Sequence, residues 1–225
     1  SGQKGLGKAT FAYHFINHLL SQGESKEYNT NSHSINVENS SYKLLLANTH
    51  PNFFLIENNF FDKEIKIERI RELINFLNKT VYSKDLKIVL IDNAEYLNLN
   101  STNALLKVIE EPHENTLFFI IHNNMVKISE TLKSRCNEFK FFFPYKEKKS
   151  IFENILKYYN YDNIKNNFDE KLHYDTPGNV LKYFFIFTEN EINPKNDLLS
   201  SILYIIEKYQ NEKDPELLLF LSFFI

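Results

Sequence analysis

The chain has no tryptophan, a single cysteine and only five glycines among 225 residues. Each scarcity closes off a class of protein. One cysteine, Cys136, cannot make an intrachain disulfide or a cysteine-cluster zinc site. That suits a reducing cytoplasm. No apolar run reaches the ~20 residues that a spanning helix needs, so no membrane partner is expected. A strongly basic balance is also missing. The net charge is −3, unlike the footprint of a stand-alone DNA binder. What remains is an ordinary core-forming composition. Hydrophobic residues make up 43%, and the length fits one or two domains.

Three of the scarce glycines open the chain. Gly2-Gln-Lys-Gly-Leu-Gly-Lys8 reads G-x-x-x-x-G-K, the frame of a phosphate-binding loop. Gly2, Gly5 and Gly7 would let backbone N–H groups curl inward toward phosphate oxygens. The following helix would aim its positive end at the same anion. Lys8 would reach the outer phosphates. A Ser or Thr hydroxyl should come next to hold Mg²⁺, but position 9 is Ala. Thr10 lies roughly 100° further round a helix, so it should not substitute. Metal binding is expected to be impaired. A flexible glycine-rich tail is the competing reading of these residues. The helix after the loop is expected to bury Phe11, Phe15, Ile16, Leu19 and Leu20 on one face.

Residues 24–50 are polar and read as a long loop with some helix. Strands are expected at 52–57 (NFFLIE), 87–92 (KIVLID), 117–121 (LFFII) and 138–143 (EFKFFF). Helices fall between them: a stripe of Ile67, Ile70, Leu73, Ile74 and Leu77, then STNALLKVIEEP at 101–112 with Asn100 or Ser101 as N-cap, then a short helix within KISETLKSRC. Alternation of strand and helix predicts an α/β fold, with a mainly parallel sheet between helices. After Pro144 the pattern is all helix, at KEKKSIFENILKYYN, NIKNNFDEKLHY and GNVLKYFFIF. A linker at 188–196 precedes LLSSILYIIEKYQ. The lysines of 146–149 read as a solvated helix start rather than a phosphate contact. No room precedes the loop for the strand it would normally follow. The chain stops in an apolar run, LLLFLSFFI, so both ends are expected to continue in a longer protein.

Three further stretches carry chemistry. Asp92 ends the strand KIVLID, where P-loop ATPases hold Mg²⁺. Hydrolysing members place a Glu next, but here Asn93 follows and cannot act as a base. A polar residue such as Asn123, after the third strand, could sense a γ-phosphate or simply satisfy backbone. Arg135, in LKSRC, offers a planar fork of five donors. At a subunit boundary it could reach a neighbour's phosphates, although an isolated Arg is most often a surface ion pair.

Taken in order, GQKGLGKAT, LIDNAEYLNLNSTNALLKVIEEP and LKSRC resemble the clamp-loader branch of the AAA+ ATPases, over residues 1 to about 190. Within it the pattern looks like the delta prime subunits of bacterial DNA polymerase III. Ala9, Asn93 and Gly178, the last in DTPGNVLKYF where motor (tau/gamma) subunits carry a nucleotide-touching Arg, all depart from the hydrolysing pattern, while SRC is intact.

The resemblance implies an AAA+ nucleotide-binding-type domain at 1–143, a small helical lid at 144–190 and the start of a helical collar at 191–225. It implies a scaffold that lends Arg135 in trans to a neighbouring motor ATPase while a sliding clamp is loaded on primed DNA. The motor and delta subunits would be its partners. Gly2, Gly5, Gly7, Lys8, Ala9, Thr10, Asp92, Asn93 and Asn123 would then be a degenerate nucleotide site, with weak ATP binding at most and no required cofactor. Many relatives carry a four-cysteine zinc module where this chain has residues 24–50. With no cysteine there, no zinc is expected. An active motor subunit in which Thr10 rescues Mg²⁺ binding, or an unrelated P-loop protein, stand as alternatives.

Overall fold

A computed structural model describes residues 1–58, 64–79, 86–159, 175–189 and 198–213, with Leu217 and Leu221. The described chain forms two compact bodies. One contains Ser1–Gly2 and Gly7–Lys140, the other Gln3–Leu6 and Phe141–Ile225.

The first body is built on a parallel sheet in the order β1 (Phe53–Ile56), β2 (Lys87–Ile91), β3 (Thr116–Ile120). Register is set by pairs such as Leu55 with Leu90 and Leu90 with Phe119. β2 is central and buried along its whole length, as its unbroken apolar run Ile88–Ile91 requires of a strand covered on both faces. Helices connect and cover the strands: α1 (Lys8–Leu20), α2 (Ser40–Leu46), α3 (Ile67–Asn78), α4 (Leu99–Glu110) and the four-residue α5 (Glu130–Lys133). One apolar cluster joins Ile70, Leu73 and Leu77 of α3 to Val89, Ile91, Leu105 and Leu132. Another joins Ala12 and Ile16 of α1 to Leu55, Ile88 and Leu90. The α/β expectation is met by this parallel, helix-flanked sheet.

Lys87 opens the central strand and is nonetheless buried. Its ammonium donates to the carbonyls of Phe76, Leu77 and Lys79 at 3.2, 2.8 and 2.7 Å. These belong to the last turn of α3, whose carbonyls have no partner within the helix. The cation therefore caps the negative end of that helix.

Three expectations need correcting. α1 forms, but its buried residues are Ala12, Ile16 and Asn17, while Phe11 and Phe15 are exposed. Ile16 of the expected stripe is buried, and Leu19 and Leu20 pack against the same cluster, so the departure is confined to Phe11 and Phe15. The N-cap of α4 is Asn98, whose side chain accepts from the Ser101 N–H at 2.9 Å. EFKFFF is no strand: residues 138–143 pair with no other strand among the described residues. Phe139 and Phe142 are 76% and 80% exposed. A strand needs a ladder partner for its N–H and C=O groups, whatever its composition. The Phe139 carbonyl accepts from the Ser1 nitrogen at 2.7 Å.

The polar segment expected as a loop with some helix is tied down by hydrogen bonds around Glu24. Its carboxylate accepts from the Ser40 and Ser41 N–H groups, from Asn39 Nδ2 and from Ser41 Oγ. Asn39 in turn caps α2 by accepting from the Tyr42 N–H at 2.7 Å, and accepts from buried Asn17 Nδ2 at 3.0 Å.

In the second body, α6 (Tyr145–Tyr158), α7 (Pro177–Glu189) and α8 (Leu198–Glu212) pack through Phe152, Leu156, Val180, Phe184, Phe187 and Ile205. Asp175 holds the start of α7, accepting from the Thr176 N–H, Asn179 Nδ2 and the Tyr183 hydroxyl. The helix expected from NIKNNFDEKLHY lies outside the described residues, as does most of the expected linker at 188–196.

Candidate functional site

In the first body, the strand ends and the loop residues Gly2, Gly7 and Lys8 converge. Gly2 bridges Asn123, just beyond β3. Gly7 caps α1 with φ +78°, in the left-handed region that glycine enters without a Cβ penalty. Lys8 donates its ammonium to the carbonyl of Gly2 at 2.7 Å. The amine expected to reach phosphate is thus turned onto the loop's own first carbonyl. Ala9 is partly buried against the cluster of α1 and the sheet, and its methyl offers no oxygen to a metal. Thr10 is exposed on the helix.

Asp92 follows β2, its N–H donating to the Ile56 carbonyl at 2.8 Å. Burial raises its carboxyl above the usual range, and the neighbouring Glu57 and Glu95 carboxylates push it further up. The Asn93 N–H and Lys8 oppose them. Asn93 adopts φ +60° and ψ +56°, a left-handed conformation that Asn tolerates better than most residues with a Cβ. Its role here is to turn the chain into the 3₁₀ segment Ala94–Tyr96. Asn123 donates its N–H to Glu95 at 3.1 Å, and its side-chain oxygen accepts from the Met125 N–H at 3.1 Å. That carbonyl oxygen serves a local turn. Gly2, Lys8, Asp92 and Asn123 are therefore brought to one end of the sheet.

Gly5 belongs to the second body. It has φ +85°, and a Cβ there would lie 2.2 Å from Thr176 Oγ1. Gly178 donates its N–H to the Gly5 carbonyl at 2.9 Å. A Cβ on Gly178 would sit 2.8 Å from that oxygen and 2.9 Å from Gly5 Cα. Backbone lies on backbone, so a side chain at 178 would have to displace Gly5.

Arg135 lies elsewhere, on the turn after α5. It pairs with Glu110, the last residue of α4, at 2.5 Å through Nη2. Nη1 donates to the Thr131 carbonyl at 2.9 Å. The guanidinium is about a third exposed.

Sequence reading missed Glu57, Glu95 and Glu110. Glu57 had a signal, because Ile56 pairs with Ile91 and so the residues after each, both acids, come level. The pairing of Glu110 with Arg135 across 25 positions had none.

A family model described as "DNA polymerase III, delta subunit" matches residues 1–143. The chain belongs to that family. Among curated delta family relatives, DNA polymerase III subunit delta′ of Pseudomonas aeruginosa is 34% identical over 135 residues, covering 60% of this chain and 39% of the relative. Subunit delta′ of Buchnera aphidicola subsp. Schizaphis graminum is 37% identical over 139 residues, covering 60% and 40%. DNA polymerase III subunit gamma of the same Buchnera is 35% identical over 144 residues, covering 58% and 38%. The chain thus spans about two fifths of the length of these relatives. Among the described residues, no helix is long and apolar enough to cross a membrane.

Proposed function

We propose that this chain serves as a delta prime-type clamp-loader subunit, a largely non-hydrolysing scaffold that lends Arg135 to the ATP site of a neighbouring motor subunit. The observation that carries this is the Gly178–Gly5 contact. Where a motor subunit would need an arginine side chain facing its nucleotide, this chain packs backbone on backbone. Ala9, which offers no hydroxyl to Mg²⁺, points the same way.

In this reading the AAA+-type domain spans 1–143, a lid follows at 144–190, and a collar begins at 191–225. The setting is the cytoplasm. The motor and delta subunits are the direct partners, and the sliding clamp and primed DNA are reached through the complex. Neither nucleotide nor zinc is required. Arg135 would stabilise the negative charge that develops on the transferred phosphoryl group of the neighbour's ATP. Similarity to subunit gamma keeps the motor reading as the competitor.

The test is ATP turnover by a clamp-loader complex reconstituted with the full chain. Arg135→Ala is expected to leave assembly intact and to lower turnover at the adjoining site by up to about 10³-fold, the low end for such arginines. Unchanged turnover in the assembled complex would remove Arg135 from the chemistry.

A further inference from the structure

We infer that Glu110 is a positioning residue for Arg135, aiming its guanidinium at the neighbour's phosphates. This rests on the reading of Arg135 as an arginine given in trans. Backbone alone cannot aim that side chain. α5 has four residues, and Arg135 stands on the turn beyond it, its N–H donating to the Leu132 carbonyl at 3.3 Å. Leu132 is buried in the cluster that includes Leu105 of α4, which fixes the turn against α4. From there a long side chain with several rotatable bonds would sample many directions.

Two tethers restrict it. Nη1 donates to the Thr131 carbonyl at 2.9 Å, with Ser134 Oγ at 3.4 Å. Nη2 meets Glu110 Oε1 at 2.5 Å. Both terminal nitrogens are held, each by a different element. Of the five N–H donors of an arginine, three are engaged in this way, leaving two without a partner among the described residues. A planar fork held at two corners with donors to spare suits an incoming phosphoryl oxygen.

The carboxylate is well chosen for this. Glu110 and Arg135 are both substantially exposed, so solvent screens their attraction and the pair adds little to folding. It restricts direction without consuming the guanidinium. Thr131 and Ser134 offer uncharged oxygens only, so among the described residues Glu110 is the one anionic tether of Arg135.

The test is a double-mutant cycle in a complex reconstituted with the full chain, in which only the adjoining motor subunit hydrolyses ATP. Glu110→Ala is expected to lower kcat about 10- to 100-fold, the scale of misplacing a catalytic group by an ångström. KM should stay within about twofold, because the aimed interaction matters most in the transition state. In an Arg135→Ala background, Glu110→Ala should do nothing further. Glu110→Gln, which keeps the shape and loses the charge, should fall between.

A wild-type kcat for Glu110→Ala beside a slow Arg135→Ala would overturn the positioning role and leave the Arg135 reading standing. Equal slowing in both backgrounds would make Glu110 merely structural. Faster turnover would mean that the carboxylate competes for Arg135 rather than aims it. No effect of Arg135→Ala itself would remove both.

Discussion

Gly178 shows how one residue can close a chemical option. It sits in the first turn of α7 with an ordinary negative φ, so its own backbone does not ask for glycine. In such a place alanine normally stabilises a helix by ~0.5–1 kcal/mol. The contact with Gly5 reverses that sign. An added methyl at 2.8 Å from a carbonyl oxygen and 2.9 Å from a Cα has no flexible neighbour to move. Relief requires lengthening the Gly178 N–H to Gly5 carbonyl bond, and overpacking of this kind costs about 1–3 kcal/mol. Gly178→Ala should therefore destabilise the chain by about 1–2 kcal/mol net, measured by urea denaturation. A stabilised variant would show that the contact yields at no cost, and the steric argument against a nucleotide-sensing side chain at 178 would go with it. Asn93 is the milder case. Its left-handed backbone gives asparagine a structural reason to occupy the position next to Asp92.

Among the elements, the segment from Glu24 to Asn52 is where hydrogen bonding does the work of apolar packing. His50 is central to it. Its Nδ1 accepts from the Asn52 N–H at 3.2 Å, so the neutral ring carries its proton on Nε2, facing Ser41 Oγ at 3.3 Å. Burial holds its pKa below the usual value, against the weaker pull of the Glu24 carboxylate. The neutral form is therefore the folded form. As pH falls through about 6.5 the unfolded chain takes up a proton that the folded chain resists, so stability declines until the lowered folded pKa is reached. Above about pH 7 this contribution should be flat. Urea midpoints between about pH 5 and 8, with His50→Gln as control, measure the slope. A slope that survives in the variant would assign it to another group.

None of this was legible beforehand. The period-2 and period-3.6 patterns revealed β1 to β3, α3, α4 and α6, because those elements carry a continuous apolar stripe or run. They could not say that Phe11 and Phe15 of α1 stay exposed while Ala12 is buried with Ile16. Nor could they show that residues 138–143 join no strand among the described residues, or that Lys87 is buried on three carbonyls. Those depend on what lies opposite.

At the scale of the whole molecule, the question is whether any nucleotide chemistry belongs to this chain. Gly2, Lys8, Asp92 and Asn123, read from the resemblance as a degenerate nucleotide site, lie together at one end of the sheet. Two local facts now weigh against Mg²⁺–ATP: Ala9 offers no hydroxyl, and Gly178 carries no side chain. Metal-free ATP fares no better. Its charge would meet Asp92 with Glu57 and Glu95 close enough to raise the Asp92 carboxyl, and Lys8 offsets them only in part. Labelled ATP should therefore bind the isolated chain no more tightly than about 1 mM, roughly 4 kcal/mol of association, with or without Mg²⁺. Tight binding that needs Mg²⁺ and disappears in Lys8→Ala would mean that Lys8 leaves Gly2 for phosphate and that another oxygen replaces the missing hydroxyl. The motor reading would then lead, and Arg135 would belong to a subunit that both uses ATP and serves a neighbour.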